Sequence, residues 1–325
     1  MSTLEPRTDL PRLIAGPPPL VGQVRVRPED FRVDEIPAYP PSGRGDHLFV
    51  RFEKVDLDTP EAVRRIAQAI GADPNQAGFA GLKDRRAVTT QWASFLFGDP
   101  SRLEGASIDG VRVLEHARHG HKLRTGHLRG NRFSLLLRSD APGDLDRARE
   151  ALAELARRGV PNYFGEQRFG RDNVAAARRW IVEGGPAPRD RWKRKLYVSA
   201  LQSAIFNELL AERVREGTVD SAIDGDLLRK EDTGGLFVAE DLERERERAL
   251  RFEITATGPM FGARMRWPER EARRREEEAL ARAGLDEARL ERVRASGEGT
   301  RRPYRVRIED PVLTVEPEGV RLAFT

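Results

Sequence analysis

The chain has 325 residues, 38% of them hydrophobic and 34% charged, a balance that suits a soluble globular protein long enough for two domains. With no cysteine it cannot form a disulfide framework, use a thiolate nucleophile or hold a Cys-ligated metal. The formal net charge is only +4, yet the sequence pI is near 9.6 and just six of the 57 cations are lysine. Arginine forks suit bidentate phosphate contacts and stacking on bases, although a bias across the whole chain also fits a GC-rich or heat-adapted host, so local clustering is what counts. No apolar run approaches the length of a membrane span and no secretion signal opens the chain, so a cytoplasmic location and no membrane partner are expected.

In chain order, Pro11–Pro19 is a proline-rich lead-in. Alternating runs at Val24 and Val26, at Phe31 and Val33, and at Leu48, Val50 and Phe52 read as strands. Thr59-Pro60-Glu61 opens a helix with Thr59 as its N-cap, Val63, Ile66, Ala67 and Ile70 as its stripe and Gly71 as its stop. A loop around Asp84 follows, then a strand from Trp92 to Phe97. Phe133, Leu135 and Leu137 alternate as another strand, and Leu145 to Leu155 form a helix that halts at Gly159. From Arg178 to Glu216 the pattern is mostly helical, and Arg266–Arg294 reads as a pair of charged helices. Strands return at Tyr304–Ile308, at Leu313 and Val315, and at Val320, Leu322 and Phe324. An insertion into one domain explains this order better than two domains in series.

Asp84 is the only carboxylate between Asp73 and Asp99, and Lys83, Arg85 and Arg86 surround it in sequence. Such neighbours are expected to hold it ionised and to draw a polyanion toward it. Gly78 and Gly81 suit a tight loop. Between Glu115 and Asp140 there is no acid at all, while Arg118, Lys122, Arg124, Arg129, Arg132 and Arg138 lie there with four histidines. This one-signed strip reads as a phosphate track. His116, His119 and His121 are the alternative, a metal site, but the surrounding cations disfavour a dication and no carboxylate completes the shell. In Gly130-Asn131-Arg132-Phe133, Asn131 can read a base edge and Phe133 can stack, or Phe133 can serve the core. Phe31 carries the same ambiguity. Gly159–Gly170, with Arg168, mixes aromatic, amide and glycine residues as RNA-facing surfaces do, and a buried domain junction would use the same set. No phosphate loop, dinucleotide fingerprint or Gly-x-Ser-x-Gly elbow is present. A carboxylate that attacks covalently, without cofactor or metal, remains the economical chemistry.

Four segments in order resemble the TruD family of tRNA pseudouridine synthases: Phe79–Gln91 with Gly-Leu-Lys-Asp-Arg, Lys122–Phe133 with Gly-Asn-Arg-Phe, Gly159–Gly170, and Ser199–Asn207. The resemblance implies an α+β fold: a pseudouridine-synthase catalytic domain with a mixed β-sheet and flanking helices, interrupted by a helix-rich α/β insertion. The expected limits are 1–158 and 303–325 for the catalytic domain and 159–302 for the insertion. The implied reaction isomerises a uridine of tRNA, uridine 13 as the expected position, to pseudouridine. Asp84 is implied as the nucleophile, with Phe31, Asn131 and Phe324 at the substrate. Lys83, Arg85 and Phe133 join them as expected substrate contacts, with Lys122, Arg124, Arg129, Arg132 and Arg168 on the RNA. No cofactor or metal is expected, the partner is tRNA, and a monomer is the default. Family members continue past the strand that holds Phe324, whereas this sequence stops at Thr325. The rival reading is an RNA-binding protein without catalysis.

Overall fold

A computed structural model of the chain describes residues 9–141 and 143–325. The chain divides into two compact units, one of Pro17–Ala153 with Ile308–Thr325, the other of Glu154–Arg307 with the described residues up to Gly16.

The first unit opens with β1 (Gln23–Val24), β2 (Phe31–Pro37) and β3 (His47–Val55). Then come α1 (Thr59–Ala69), β4 (Gly78–Phe79), β5 (Val88–Leu96), β6 (Val111–His119), β7 (Leu128–Arg138) and α2 (Leu145–Arg158), whose residues from Glu154 onward count with the second unit. The stripe of α1 behaves as its spacing predicts: Val63, Ile66 and Ala67 are buried against Leu48, Val50, Phe52, Ala93 and Phe95. Burying such side chains stabilises by about 1.5–3 kcal/mol each. Gly71 ends the helix at φ +68°, a left-handed conformation that a Cβ would strain. The N-cap is Asp58, not Thr59: the Asp58 carboxylate accepts the Glu61 N–H at 2.8 Å. Thr59 is thereby released for another contact, described below.

The second unit holds β8 (Val160–Pro161), α3 (Asn173–Ile181), α4 (Arg191–Arg215), β9 (Leu227–Lys230), β10 (Leu236–Val238) and α5 (Leu242–Leu250). It ends with β11 (Ile254–Met260), α6 (Arg270–Arg282), α7 (Glu287–Arg292), β12 (Thr300–Pro303) and β13 (Arg305–Val306). A four-stranded sheet, β10-β9-β11-β12, and the long helix α4 share its core. The charged pair expected over Arg266–Arg294 resolves into α6 and a much shorter α7. Arg213–Asp226 and Arg301–Glu276 are buried ion pairs here. The unit's limits lie a few residues outside those expected from sequence. Residues up to Gly16 group with it because Tyr163 donates its hydroxyl to the Pro11 carbonyl and Leu13 packs on its core.

The chain then returns to the first unit as β14 (Val312–Glu316) and β15 (Gly319–Phe324). The strands order as β14-β15-β7-β2-β5-β3-β6, with β1 on β7 and β4 on β5. Among the described residues, only the β2–β5 pair of this sheet is parallel. Val33 lies beside Thr89, and Thr89 beside Lys54, so these three share the face that α1 covers. Phe133 pairs with Val33 and with Phe324, which places both rings on that face as well. Asp30 and Arg138 tie the start of β2 to β7 through a bidentate ion pair at 2.7–3.0 Å. Among the described residues, no helix is long and apolar enough to cross a membrane.

Candidate active site

The segment 80–87 joins β4 to β5 and presents Asp84, and it is fastened from several directions. The Gln91 amide donates to the Gly81 carbonyl at 3.3 Å, and Gly126 N–H donates to the Ala80 carbonyl at 2.8 Å. Lys83 N–H donates to Thr59 Oγ1 at 3.0 Å, and that hydroxyl donates in turn to Gln91 Oε1 at 2.9 Å. Lys54 Nζ donates to the Asp84 carbonyl at 2.8 Å, and Arg86 to the Val26 carbonyl at 2.8 Å. A loop tied at each end and in its middle holds its carboxylate in a set place.

The cations expected around Asp84 are elsewhere. Lys83 turns inward, its ammonium 2.8 Å from Glu35 Oε2, with side-chain exposures of 6% and 1%. Glu35 Oε1 also accepts the Trp92 N–H. Arg85 reaches toward Asp56 at 3.9 Å. Successive residues of a tight turn point in different directions, so proximity in sequence did not become contact. The ion-pair partner of Asp84 is Arg25, at 3.9 Å, while about half of the Asp84 side chain stays open to solvent. Arg25 sits at φ +55°, a strained conformation for a residue with a Cβ.

Arg25 also lies over the Phe31 ring, its guanidinium carbon 4.0 Å from the centroid. Phe31 stacks beside Phe133 (6.3 Å, 11°), and Phe133 meets Phe324 (5.3 Å, 30°). The three rings thus form a row across β2, β7 and β15. Phe31 is buried while the other two are half-buried. Asn131, one pleat from Phe133 on β7, has a buried amide oxygen with no hydrogen-bond partner among the described residues. A buried acceptor left free calls for an explanation, and a donor on a bound base supplies one.

The cationic strip divides. Arg138 is spent on Asp30 and Glu318, and Arg118 donates to the Gly98 carbonyl. Arg124, Arg129 and Arg132 remain exposed and Lys122 is half-buried. The pleat of β7 sends Arg132 to the side opposite Asn131 and Phe133, where it lines a cavity of about 460 Å³ with Asp34, Arg51 and Glu115. His119, His121 and His127 cluster around Tyr39, and His116 is exposed. Ser42 N–H donates to His119 Nδ1, whose Nε2 faces His121 Nε2 at 3.0 Å, and Tyr39 bonds His127 at 2.7 Å. Burial, with His121 next to it, pushes the His119 pKa below its ordinary value.

Arg168 belongs to the second unit. Its guanidinium donates to Ser199 Oγ at 2.5 Å and Ser203 Oγ at 3.3 Å and lies over Phe164. Asn207 brackets Phe164 through both its N–H and its carbonyl, each at 2.9 Å. Within Gly159–Gly170, Glu166, Gln167 and Arg168 are exposed, while Asn162 and Phe164 are tied to Arg302 and Asn207. The sequence does not single out Arg25, Glu35, Lys54, Thr59 or Gln91 as site residues; it marks Thr59 only as a helix cap. Glu35, Lys54 and Gln91 reach the loop from neighbouring strands, Thr59 from α1 and Arg25 from the stretch before β2, arrangements that no local pattern reveals.

A family model for tRNA pseudouridine synthase D (TruD) matches residues 9–185 and 190–325. The tRNA pseudouridine synthase D of Anaeromyxobacter dehalogenans is 48% identical, over 98% of this chain and 92% of that protein. That of Thermus thermophilus is 42% identical, over 97% and 87%. The crystal structure of the candidate tRNA pseudouridine synthase D (TruD) of Methanosarcina mazei superposes with a TM-score of 0.68 at 22% identity, over 98% of this chain and 91% of that one, a likeness of fold.

Proposed function

The chain belongs to the tRNA pseudouridine synthase D (TruD) family, and from that premise we propose that it isomerises a uridine of tRNA, uridine 13, to pseudouridine with Asp84 as the nucleophile. In this reading the unit of Pro17–Ala153 and Ile308–Thr325 is the catalytic domain and Glu154–Arg307 the insertion. One observation carries the assignment. Asp84 is a half-open carboxylate on a tethered loop, and Arg25 links it to the aromatic row that begins at Phe31.

The reaction breaks the bond from uracil N1 to ribose C1′, turns the base, forms a bond from C5 to C1′ and releases the C5 proton. The base must leave its stack to be reached. Asp84, with Arg25 3.9 Å from its carboxylate, attacks C1′ and expels N1, after which C5 displaces the carboxylate from C1′. Alternatively it adds to uracil C6 and is eliminated once C5 is joined to C1′. In either case N1 takes up a proton as C5 gives one up. The rings of Phe133 and Phe324 offer a face to the everted base. The free Asn131 oxygen accepts the uracil N3–H, a contact that a cytosine, lacking that proton, cannot make.

Release of tritium from tRNA labelled at uridine C5 tests the proposal. Asp84→Asn is expected to bind tRNA and release no tritium. Substantial release by that variant rejects Asp84 as nucleophile. Binding without release by the unaltered protein favours the rival, an RNA-binding protein that does no chemistry. Mapping pseudouridine in the product decides position 13.

A further inference from the structure

We propose that Lys54 is a positioning residue of this reaction, its ammonium fixing the main chain of Asp84 from beneath and supplying a buried positive charge to the carboxylate above. The inference rests on Asp84 being the nucleophile. It concerns a residue that lies outside every segment of sequence resemblance.

Lys54 stands near the end of β3 and is fully buried. Its strand neighbours are Thr89 on β5 and Val111 on β6, neither of them charged. Phe52, two residues earlier on the same face, belongs to the apolar core under α1. A methionine or leucine suits such a position, and burying an ammonium there is costly. Among the described residues, the hydrogen-bond acceptor that meets it is the Asp84 carbonyl, at 2.8 Å. The fold therefore places a costly charge where what it holds is the one residue proposed to do the chemistry.

The charges that act on it come from two elements. Asp84 and Lys83 lie in the loop and Asp58 caps α1, while Lys83 is itself paired with Glu35 of β2. Burial pushes the Lys54 pKa down to about 8, Asp84 and Asp58 pull the other way, and Lys83 adds to the fall. Below that pH the ammonium makes a charge-assisted bond to the Asp84 carbonyl and so holds the main chain that carries the carboxylate. Above it the bond reverts to a neutral one of about half the strength. Catalysis should therefore decline as pH rises through about 8, while tRNA binding, which depends on surface cations, should not follow.

The absence of cysteine makes a clean test possible. Lys54→Cys can be alkylated in denaturant with 2-bromoethylamine and refolded, which restores an amine of lysine's reach and lowers its pKa through the thioether. Unaltered protein passes through the same steps as a control. The measurements are single-turnover pseudouridine formation at saturating tRNA from pH 6 to 9, and tRNA affinity. Lys54→Met should lose on the order of 10²-fold in rate, the scale of a misplaced catalytic group. Its affinity should stay within about threefold. The alkylated protein should regain most of the rate, with its alkaline decline moved to lower pH. A Lys54→Met rate within about threefold of the unaltered protein overturns the proposal, as does an alkaline decline that stays put in the alkylated protein. If Lys54→Met does not fold, the unaltered protein decides: a decline centred near pH 8 supports the proposal and a flat profile to pH 9 overturns it. Asp84→Asn measured in parallel separates the two ideas. An active Asp84→Asn removes the nucleophile assignment itself, whereas an inactive one beside an active Lys54→Met removes only the role of Lys54.

Discussion

Lys83 and Asp84 are adjacent in the chain and serve opposite environments: the lysine is sealed against Glu35 at 2.8 Å, while about half of the aspartate is open to solvent. The buried pair anchors the loop from which the carboxylate projects. Removing one member leaves a buried charge without a partner, which costs about 3–5 kcal/mol. Lys83→Met should therefore lower the unfolding free energy by that amount, and adding Glu35→Gln should recover a good part of it. Urea melts of the single and double variants check this, and equal losses in the two would place the pair outside the loop's support.

Asn131 should act on the choice of base more than on the fold. Its amide oxygen already lacks a partner, so Asn131→Ala removes no intramolecular bond from that atom. The melting temperature should hold, while the rate with saturating tRNA drops on the order of 10²-fold, the scale reported for losing one preorganised polar contact at a reacting centre. A large fall in stability with unchanged turnover contradicts this reading.

Exposed and engaged arginines should separate by salt dependence. Arg124→Ala and Arg129→Ala each ought to reduce the slope of log affinity against log salt by roughly 1. Arg168→Ala should leave the slope alone and lower stability, because its guanidinium is held by Ser199 and Ser203. Titrations of tRNA at several salt concentrations distinguish them.

Asp30 gives the first unit a dependence on acid. Burial opposes its charge, but the Arg138 fork and the Arg27 N–H outweigh that and hold its pKa below the usual carboxylate value. A carboxyl depressed by folding stabilises above its unfolded pKa and loses that contribution as pH falls through the folded one. Asp30→Asn should thus destabilise the protein at pH 7, by a margin that shrinks below about pH 4. Parallel melts at pH 7 and pH 3.5 measure the closing gap, and a gap that does not change with pH refutes the assignment.

Much of the proposed site could be read from the sequence because its motifs are contiguous. Asp84 within Gly-Leu-Lys-Asp-Arg and Asn131 within Gly-Asn-Arg-Phe each declare themselves in a few residues, and α1 follows from a stripe that needs only helical periodicity. What stayed hidden depends on register. Lys54 meets the Asp84 carbonyl because β3 pairs with β5, and Arg25 meets Asp84 from the stretch between β1 and β2. The lysine and arginines beside Asp84 were misjudged for a related reason: like charge along a sequence says nothing of where each side chain turns. Arg138 shows the same limit, since its partner Asp30 lies 108 positions away.

The row formed by Phe31, Phe133 and Phe324 has a consequence for the order of assembly. Its third ring comes from β15, which the ribosome delivers only after all of Glu154–Arg307 has been made. Until then β7 lacks its neighbour on that side, and a growing chain with Asp84 already in place has an unfinished wall at the proposed nucleoside site. Closing so long a loop is slow. A newly made molecule should thus acquire catalytic competence as its last step of maturation, well after both cores have condensed.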